Sequence, residues 1–354
     1  MKMFSIKKVK KVDRYFFFSL GANNMTSNDA MTLKIRLIAH IETWRPYTVI
    51  WCGLLSFSGA LLTYKGIPPI HLSLFSLFIP IFGWIAGLYL ADYLDRSLDK
   101  IQKEHRPIPS GRIKPIEALF IGGLFVLTGT ILTALFRIEN FLFIPLSGIL
   151  VFTYAKYTKS KSFLGNINRG LLALTSFYFG VSAISFTLGE IPSYIWPISL
   201  VFLIHDMNTN LVGTFRDIEG DKKAGYLTIP VKYGIKPALI FSSILTILWL
   251  FLTLLFSIIY QVNNFYFFII ILIDIILLSI ILFRSKQLYR RYSREKSLDI
   301  HKLFILERIT LASAFIFIFA SLQFAIFLYG LCLMLSAIFQ FILRNQYEFN
   351  KWTL

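Results

Sequence analysis

A chain of 354 residues that is 56% hydrophobic, with a mean hydropathy of +0.66 and recurrent apolar runs of about 20 residues, is too apolar for a water-soluble fold. It reads as all-α, a polytopic bundle of transmembrane helices around a central cavity. The net charge of +17 does not point to nucleic acid, because the basic residues fall in alternate loops rather than along one soluble face.

The chain opens with a basic stretch, Lys7 to Lys11, followed by the short apolar "YFFFSL" and then polar residues, a pattern that does not fit a secretory signal. Residues 1–34 are expected to form a cytosolic basic extension, without an assigned role. Candidate spans follow at 46–64, 70–94, 115–136, 139–156, 167–188, 192–213, 237–260, 265–283 and 304–326, nine in all. With the N-terminus inside, the segments assigned to the cytosolic side carry 32 Lys and Arg, against Lys65 and Arg137 outside. A bias of that size fixes the orientation. Beyond the ninth span, "SLQFAIFLYGLCLMLSAIFQFIL" offers a tenth helix bending near Gly330 or a continuation along the interface. One straight helix over 304–343 would be roughly 60 Å long, twice the hydrocarbon thickness, so the run must turn. The expected division is therefore 1–34, a transmembrane domain at 35–326, and an apolar C-terminal helix with a short tail at 327–354. Cys52 and Cys332 lie in apolar runs and read as small core residues, with neither a disulfide framework nor metal-ligand spacing.

Charge is scarce in such a chain, and its placement is informative. Of 19 Asp and Glu, seven fall in two windows, "GLYLADYLDRSLDKIQKEHRPIPSGRI" and "VGTFRDIEGDKKAGYLTIPVKYG". On a helix Asp92, Asp95 and Asp99 stand at i, i+3 and i+7, and Asp217 and Asp221 at i and i+4, so each set shares a face. Like charges so close repel unless cations neutralise them. Mg²⁺ suits them, since it takes one or two carboxylates together with waters and substrate phosphates. Two such helices face to face would grip a diphosphate through bridging ions and favour its departure as a leaving group. Acids at helix ends that merely meet solvent are the plainer alternative for either window alone. Two windows with Asp-x-x-x-Asp, each followed by a basic loop with Gly and Pro, weigh against it. Asp95 to Asp217 and Asp99 to Asp221 are both 122 residues, which fits two related halves.

These windows resemble the signatures of the UbiA superfamily of intramembrane prenyltransferases: "ADYLDRSLD" followed by "RPIPSG", and "RDIEGDKKAGYLTIPVKYG", over roughly residues 40–325. The resemblance implies that Asp95, Asp99, Asp217 and Asp221 are catalytic and, with Asp92, hold Mg²⁺ against an isoprenyl diphosphate. It offers Arg45, Arg106, Tyr154 and Lys159 or Lys161 as groups around the diphosphate. The first motif departs from the family at Ala91, where an Asn is usual; alanine binds neither metal nor phosphate, and Asp92 points about 100° round the helix. Within the sixth span, Asp206 and Asn210 lie 15 and 11 residues before Asp221, near its helical face, and are candidates to border the acceptor site or the pocket floor. An inter-helix hydrogen bond is the alternative for both, and Asp274 and His205 read as structural.

The implied activity is Mg²⁺-dependent prenyl transfer from an isoprenyl diphosphate to an acceptor within the membrane, the site facing the cytosol. An aromatic quinone precursor, a tetrapyrrole and an isoprenoid glycerol phosphate are the acceptor classes, and "IEGDKKAG" looks nearer the lipid and chlorophyll branches. A membrane terpene cyclase is the rival enzyme. A cation-coupled transporter is the rival from another class, opposed by acids gathered at one face rather than at the midplane.

Overall fold

A computed structural model of the protein describes residues 27–349. The expected extension lies mostly outside these; its last residues already belong to the first helix, α1 (Ser27–Trp44). Arg45 then adopts a left-handed conformation (φ 48°), and Pro46, which cannot continue α1, opens α2 (Pro46–Tyr64). α3 (Ile70–Leu94) runs back to the basic end and passes through Asp95 into the short α4 (Arg96–Gln102). α5 (Pro115–Phe136) again starts on proline. A tight turn leads into α6 (Phe143–Thr153), which widens through Tyr154–Thr158 before α7 (Phe163–Ile184). α8 (Ile195–Phe215) repeats the pattern of α3: it ends at the basic end and hands over, around Asp217, to the short α9 (Ile218–Lys223). α10 (Ile229–Tyr233), α11 (Ile235–Ile259), α12 (Phe265–Arg290) and α13 (Arg294–Phe317) follow. α14 (Leu322–Phe339) closes the bundle, continues through a wide turn at Gln340–Arg344, and ends in α15 (Asn345–Phe349).

Seven helical stretches among the described residues are long and apolar enough to cross a membrane: α2, α3, α5, the stretch Ile138–Thr158 around α6, α11, α12, and Leu322–Arg344. α7, α8 and α13 have similar length but more polar faces, because they carry buried side chains such as Asn166, Asp206 and Glu307. The ninth expected span needs correction. A single helix over 304–326 does not form: α13 stops at Phe317, the chain turns at 318–321, and α14 is a separate tenth helix. The turn falls there and not at Gly330, which lies inside α14.

The main core gathers Trp51, Phe177, Phe202, Trp249 and Phe315 from α2, α7, α8, α11 and α13. α2 and α7 touch backbone to backbone. A Cβ on Gly180 would lie 1.7 Å from the Ser56 carbonyl oxygen, and one on Gly59 2.4 Å from that of Phe177, so only hydrogen fits at either crossing. Within this core His205 meets Glu307 at 2.9 Å, and Asp274 is fully buried with neither oxygen hydrogen-bonded among the described residues.

α3, α5 and α6 form the looser side. α5 packs along α3, while α6 leans on α7 and α3. A cavity of about 570 Å³ runs from the basic end down between them. Gly83, Gly123 and Gly148 line it, and a Cβ on any of the three would meet nothing within 4 Å.

Candidate active site

Both acid windows open into this cavity, and Asp92, Asp95, Asp99, Asp217 and Asp221 all line it. The two windows are built alike. Asp95 and Asp217 each sit where a long helix gives way to a short one, and the backbone stays near-helical there (φ −84° and −102°). One turn on, the amide of Asp99 donates to the Asp95 carbonyl and that of Asp221 to the Asp217 carbonyl, both at 2.8 Å. Each junction thus keeps its carboxylate pair on one face and ends the buried helix at the mouth of the cavity.

Four of the five carboxylates are met by cations. Arg45 pairs with Asp92, Lys159 with Asp95 at 2.6 Å, Arg106 with Asp99 at 2.7 Å, and Lys103 and Arg216 with Asp217 at 3.0 and 3.2 Å. Burial works to raise the Asp217 carboxyl, but Lys103 and Arg216 outweigh it and hold it well below the usual carboxylate range. Asp221 differs: it has no basic partner within salt-bridge distance among the described residues and accepts from the Thr228 hydroxyl at 3.2 Å. Burial and then the charge on Asp217 push its carboxyl up to about 6. Asp221 is thus the carboxylate of the five whose charge no Lys or Arg among the described residues meets at close range.

That is the electrostatic demand a divalent ion meets, and the donor set is all hard oxygen. No three His, Cys, Asp or Glu side chains among the described residues gather into a closed metal cage. An ion here would draw on one or two carboxylates and fill its shell with water and phosphate oxygens, the manner in which Mg²⁺ is ordinarily held.

A second polar patch lies farther along the cavity wall. Arg169 and Arg308 both line it, and Asp206 sits 3.7 and 4.0 Å from them. One buried carboxylate shared at those separations offsets only part of two guanidinium charges. Arg169 stacks over Trp84 at 4.7 Å and lies 5.8 Å from the Tyr154 ring. Tyr154 donates to Asn210 at 2.9 Å, and Asn210 donates to Asn166 at 3.3 Å.

Of the residues expected from the sequence, Arg45, Arg106, Tyr154, Lys159 and Asn210 join the five aspartates on the cavity wall. Two do not. Lys161 is exposed and off the cavity; its backbone bridges to Leu227, so Lys159 is the lysine that turns inward. Asp206 lies behind the wall and reaches the cavity through Arg169 and Arg308. Sequence reasoning missed Lys103, Arg169, Arg216 and Arg308. The signal for Arg169 and Arg308 was present, since both fall inside expected spans and an arginine inside an apolar span marks an interior polar surface. The others were absorbed into the loop-charge count.

The comparisons accord with this geometry. The model for the UbiA prenyltransferase family matches residues 49–306. Digeranylgeranylglyceryl phosphate synthase of Pyrococcus horikoshii is 32% identical over 206 residues, 58% of this chain and 73% of that protein. The enzyme of the same name from Sulfurisphaera tokodaii is 29% identical over 70% of this chain and 87% of its own. A solved structure from work on digeranylgeranylglyceryl phosphate synthase in membranes superposes with a TM-score of 0.59 at 27% identity, covering 79% of this chain and 97% of that one. A UbiA homologue from Archaeoglobus fulgidus, bound to GPP and Mg²⁺, shares the fold with a TM-score of 0.58 at 18% identity over 78% of this chain and 99% of its own. Fold and site together define a multi-pass membrane enzyme that transfers prenyl groups. The chain belongs to the UbiA prenyltransferase family.

Proposed function

We propose that this prenyltransferase joins a long prenyl chain, donated as its diphosphate, to the free hydroxyl of a prenylated glyceryl phosphate, as the name of its curated relatives describes. The observation that carries the acceptor class is the second cationic patch. Arg169 and Arg308 give an acceptor's phosphate a place apart from the aspartates that would bind the donor. A phosphate, with up to two charges and three terminal oxygens, uses two arginines more fully than the single carboxylate of an aromatic or tetrapyrrole acceptor does. The basic end is read as cytosolic, from the excess of Lys and Arg on the loops there.

In this reading Asp95, Asp99, Asp217 and Asp221 hold the donor end, with Asp92 beside them. Mg²⁺ bound there neutralises charge on the departing diphosphate. Lys159, Arg106 and Arg45 exchange their carboxylate partners for phosphate oxygens as the carbon–oxygen bond breaks, its electron pair going to the diphosphate. The allylic carbon, held in the apolar part of the cavity, is kept from water. Arg169 and Arg308 fix the acceptor so that its hydroxyl oxygen closes on that carbon, and its proton leaves with the diphosphate. The tail lies along Gly83, Gly123 and Gly148, where open space replaces side chains.

The test is product analysis with purified protein, Mg²⁺, geranylgeranyl diphosphate and geranylgeranylglyceryl phosphate. One new ether product, absent when the acceptor's phosphate is removed, is expected. Equal turnover of a phosphate-free acceptor would overturn the acceptor assignment, and a cyclised product without acceptor would favour a cyclase.

A further inference from the structure

The family match ends at residue 306, and the segment after α14 bears on the site nonetheless. The arm formed by Gln340–Arg344 and α15 returns to the mouth of the cavity, where Tyr347 and Glu348 both line the wall. They are 2% and 3% exposed. The Tyr347 ring lies against two guanidinium groups, 4.5 Å from Arg45 and 4.4 Å from Arg106. Its hydroxyl accepts from Arg45 and lies 3.4 Å from both oxygens of Asp92. One oxygen of Glu348 meets Arg216 at 3.4 Å, while the other is buried without a hydrogen-bond partner. Burial works to raise the Glu348 carboxyl, but Arg216 and Lys103 bring it down to about 2.

The arm is fastened by more than these side-chain contacts. His105 hydrogen-bonds the Tyr347 carbonyl at 3.0 Å, Arg294 the Glu348 carbonyl at 3.4 Å, and Gln340 the Lys302 carbonyl at 3.4 Å. Leu343 packs against Tyr47 and Ile305, and Arg344 pairs with His301. Backbone, apolar and charged contacts together make it a resident part of the fold rather than a trailing end.

We propose that this arm completes the diphosphate pocket, with Tyr347 a positioning residue for Arg45 and Arg106, and Glu348 one for Arg216. The proposal rests on the reading of the carboxylate mouth as the donor site. An arginine side chain is long, and ordering it on binding costs conformational entropy; one already stacked on an aromatic face has lost that freedom beforehand. A ring face holds a guanidinium while leaving N–H edges free for phosphate oxygens. The hydroxyl also brings a polar group to Asp92, next to Ala91, whose side chain offers none.

The experiment combines steady-state kinetics with calorimetric binding of inorganic diphosphate plus Mg²⁺, on the full chain, Tyr347→Phe, Tyr347→Ala, Glu348→Gln and a chain ending at Phe339. Loss of one stacked and hydrogen-bonded partner predicts that Tyr347→Ala weakens diphosphate binding and raises the donor KM roughly 10-fold or more, with the acceptor KM unchanged. Tyr347→Phe, which keeps the ring, should recover most of that loss, and Glu348→Gln should move the same quantities by less. The shortened chain should lose at least as much as Tyr347→Ala. Wild-type diphosphate affinity in folded Tyr347→Ala would overturn the proposal. So would faster turnover by the shortened chain, which would make the arm a plug. If that chain does not fold, the point variants decide. Full activity in Asp95→Asn would instead sink the donor-site reading beneath it, whereas a dead Asp95→Asn beside a silent Tyr347→Ala would sink the arm alone.

Discussion

Two of the places where the protein gathers acidic side chains have different surroundings. At the mouth of the cavity five aspartates face open space, four of them matched to Lys or Arg. In the core between α8, α12 and α13, Glu307 meets His205, which itself packs on Trp51 and Trp249, and Asp274 is buried close to Glu307; both acids are off the cavity wall and have no Lys or Arg in salt-bridge contact among the described residues. The difference separates carboxylates able to exchange partners when a ligand arrives from carboxylates that hold helices together. A buried acid in a membrane helix is therefore not by itself a catalytic group; access to a cavity and an exchangeable cation make it a candidate.

The sharpest way to break this comparison is to remove one acid from each region. Asp95→Ala or Asp217→Ala should reduce product formation by at least about 100-fold, the scale on which loss of one stabiliser of developing charge is felt. Residual activity near wild type in a mass-resolved product assay would refute the assignment. Arg308→Gln should raise the acceptor KM by roughly 30-fold, the worth of a charge-assisted hydrogen bond, without moving the donor KM. A change in donor KM alone would shift Arg308 to the diphosphate. Gly83→Phe fills space that the structure leaves open, so the ratio of 20-carbon to 10-carbon donor use should fall by about 10-fold or more. An unchanged ratio would place the tail elsewhere. Asp206→Asn, behind the wall, should change acceptor KM only about 3- to 5-fold, through Arg169 and Arg308. Smallest of all, Asp274→Asn should leave kcat within about 2-fold while altering thermal stability. A large kinetic loss there, with melting behaviour unchanged, would erase the distinction between the regions.

Much of the helical bundle was legible in the sequence, because bilayer-length apolar runs have few alternatives and Pro46 and Pro115 mark helix starts. The aspartates were legible for the opposite reason: charge is so scarce that clustering stands out. Less visible was the turn at 318–321, where Ile, Phe, Ala and Ser replace the Gly or Pro that usually signals one. The choice between Lys159 and Lys161 depends on the widened turn at Tyr154–Thr158, which no local pattern announces. Tyr347 and Glu348 were hidden more deeply. Their segment reads as the polar end of an apolar helix, and their neighbours Arg45, Arg106 and Arg216 are distant in sequence.

The glycine crossings of α2 and α7 carry a consequence for traffic. With Gly59 and Gly180 seating one backbone directly on the other, those two helices cannot part without losing contacts along their shared length. The looser flank is the one where α5 and α6 stand apart, and sideways entry of a lipid-borne molecule there would break fewer contacts. A bulky residue at Gly123 or Gly148 would narrow that doorway, slowing arrival and departure of both chains while leaving the chemistry at the mouth untouched.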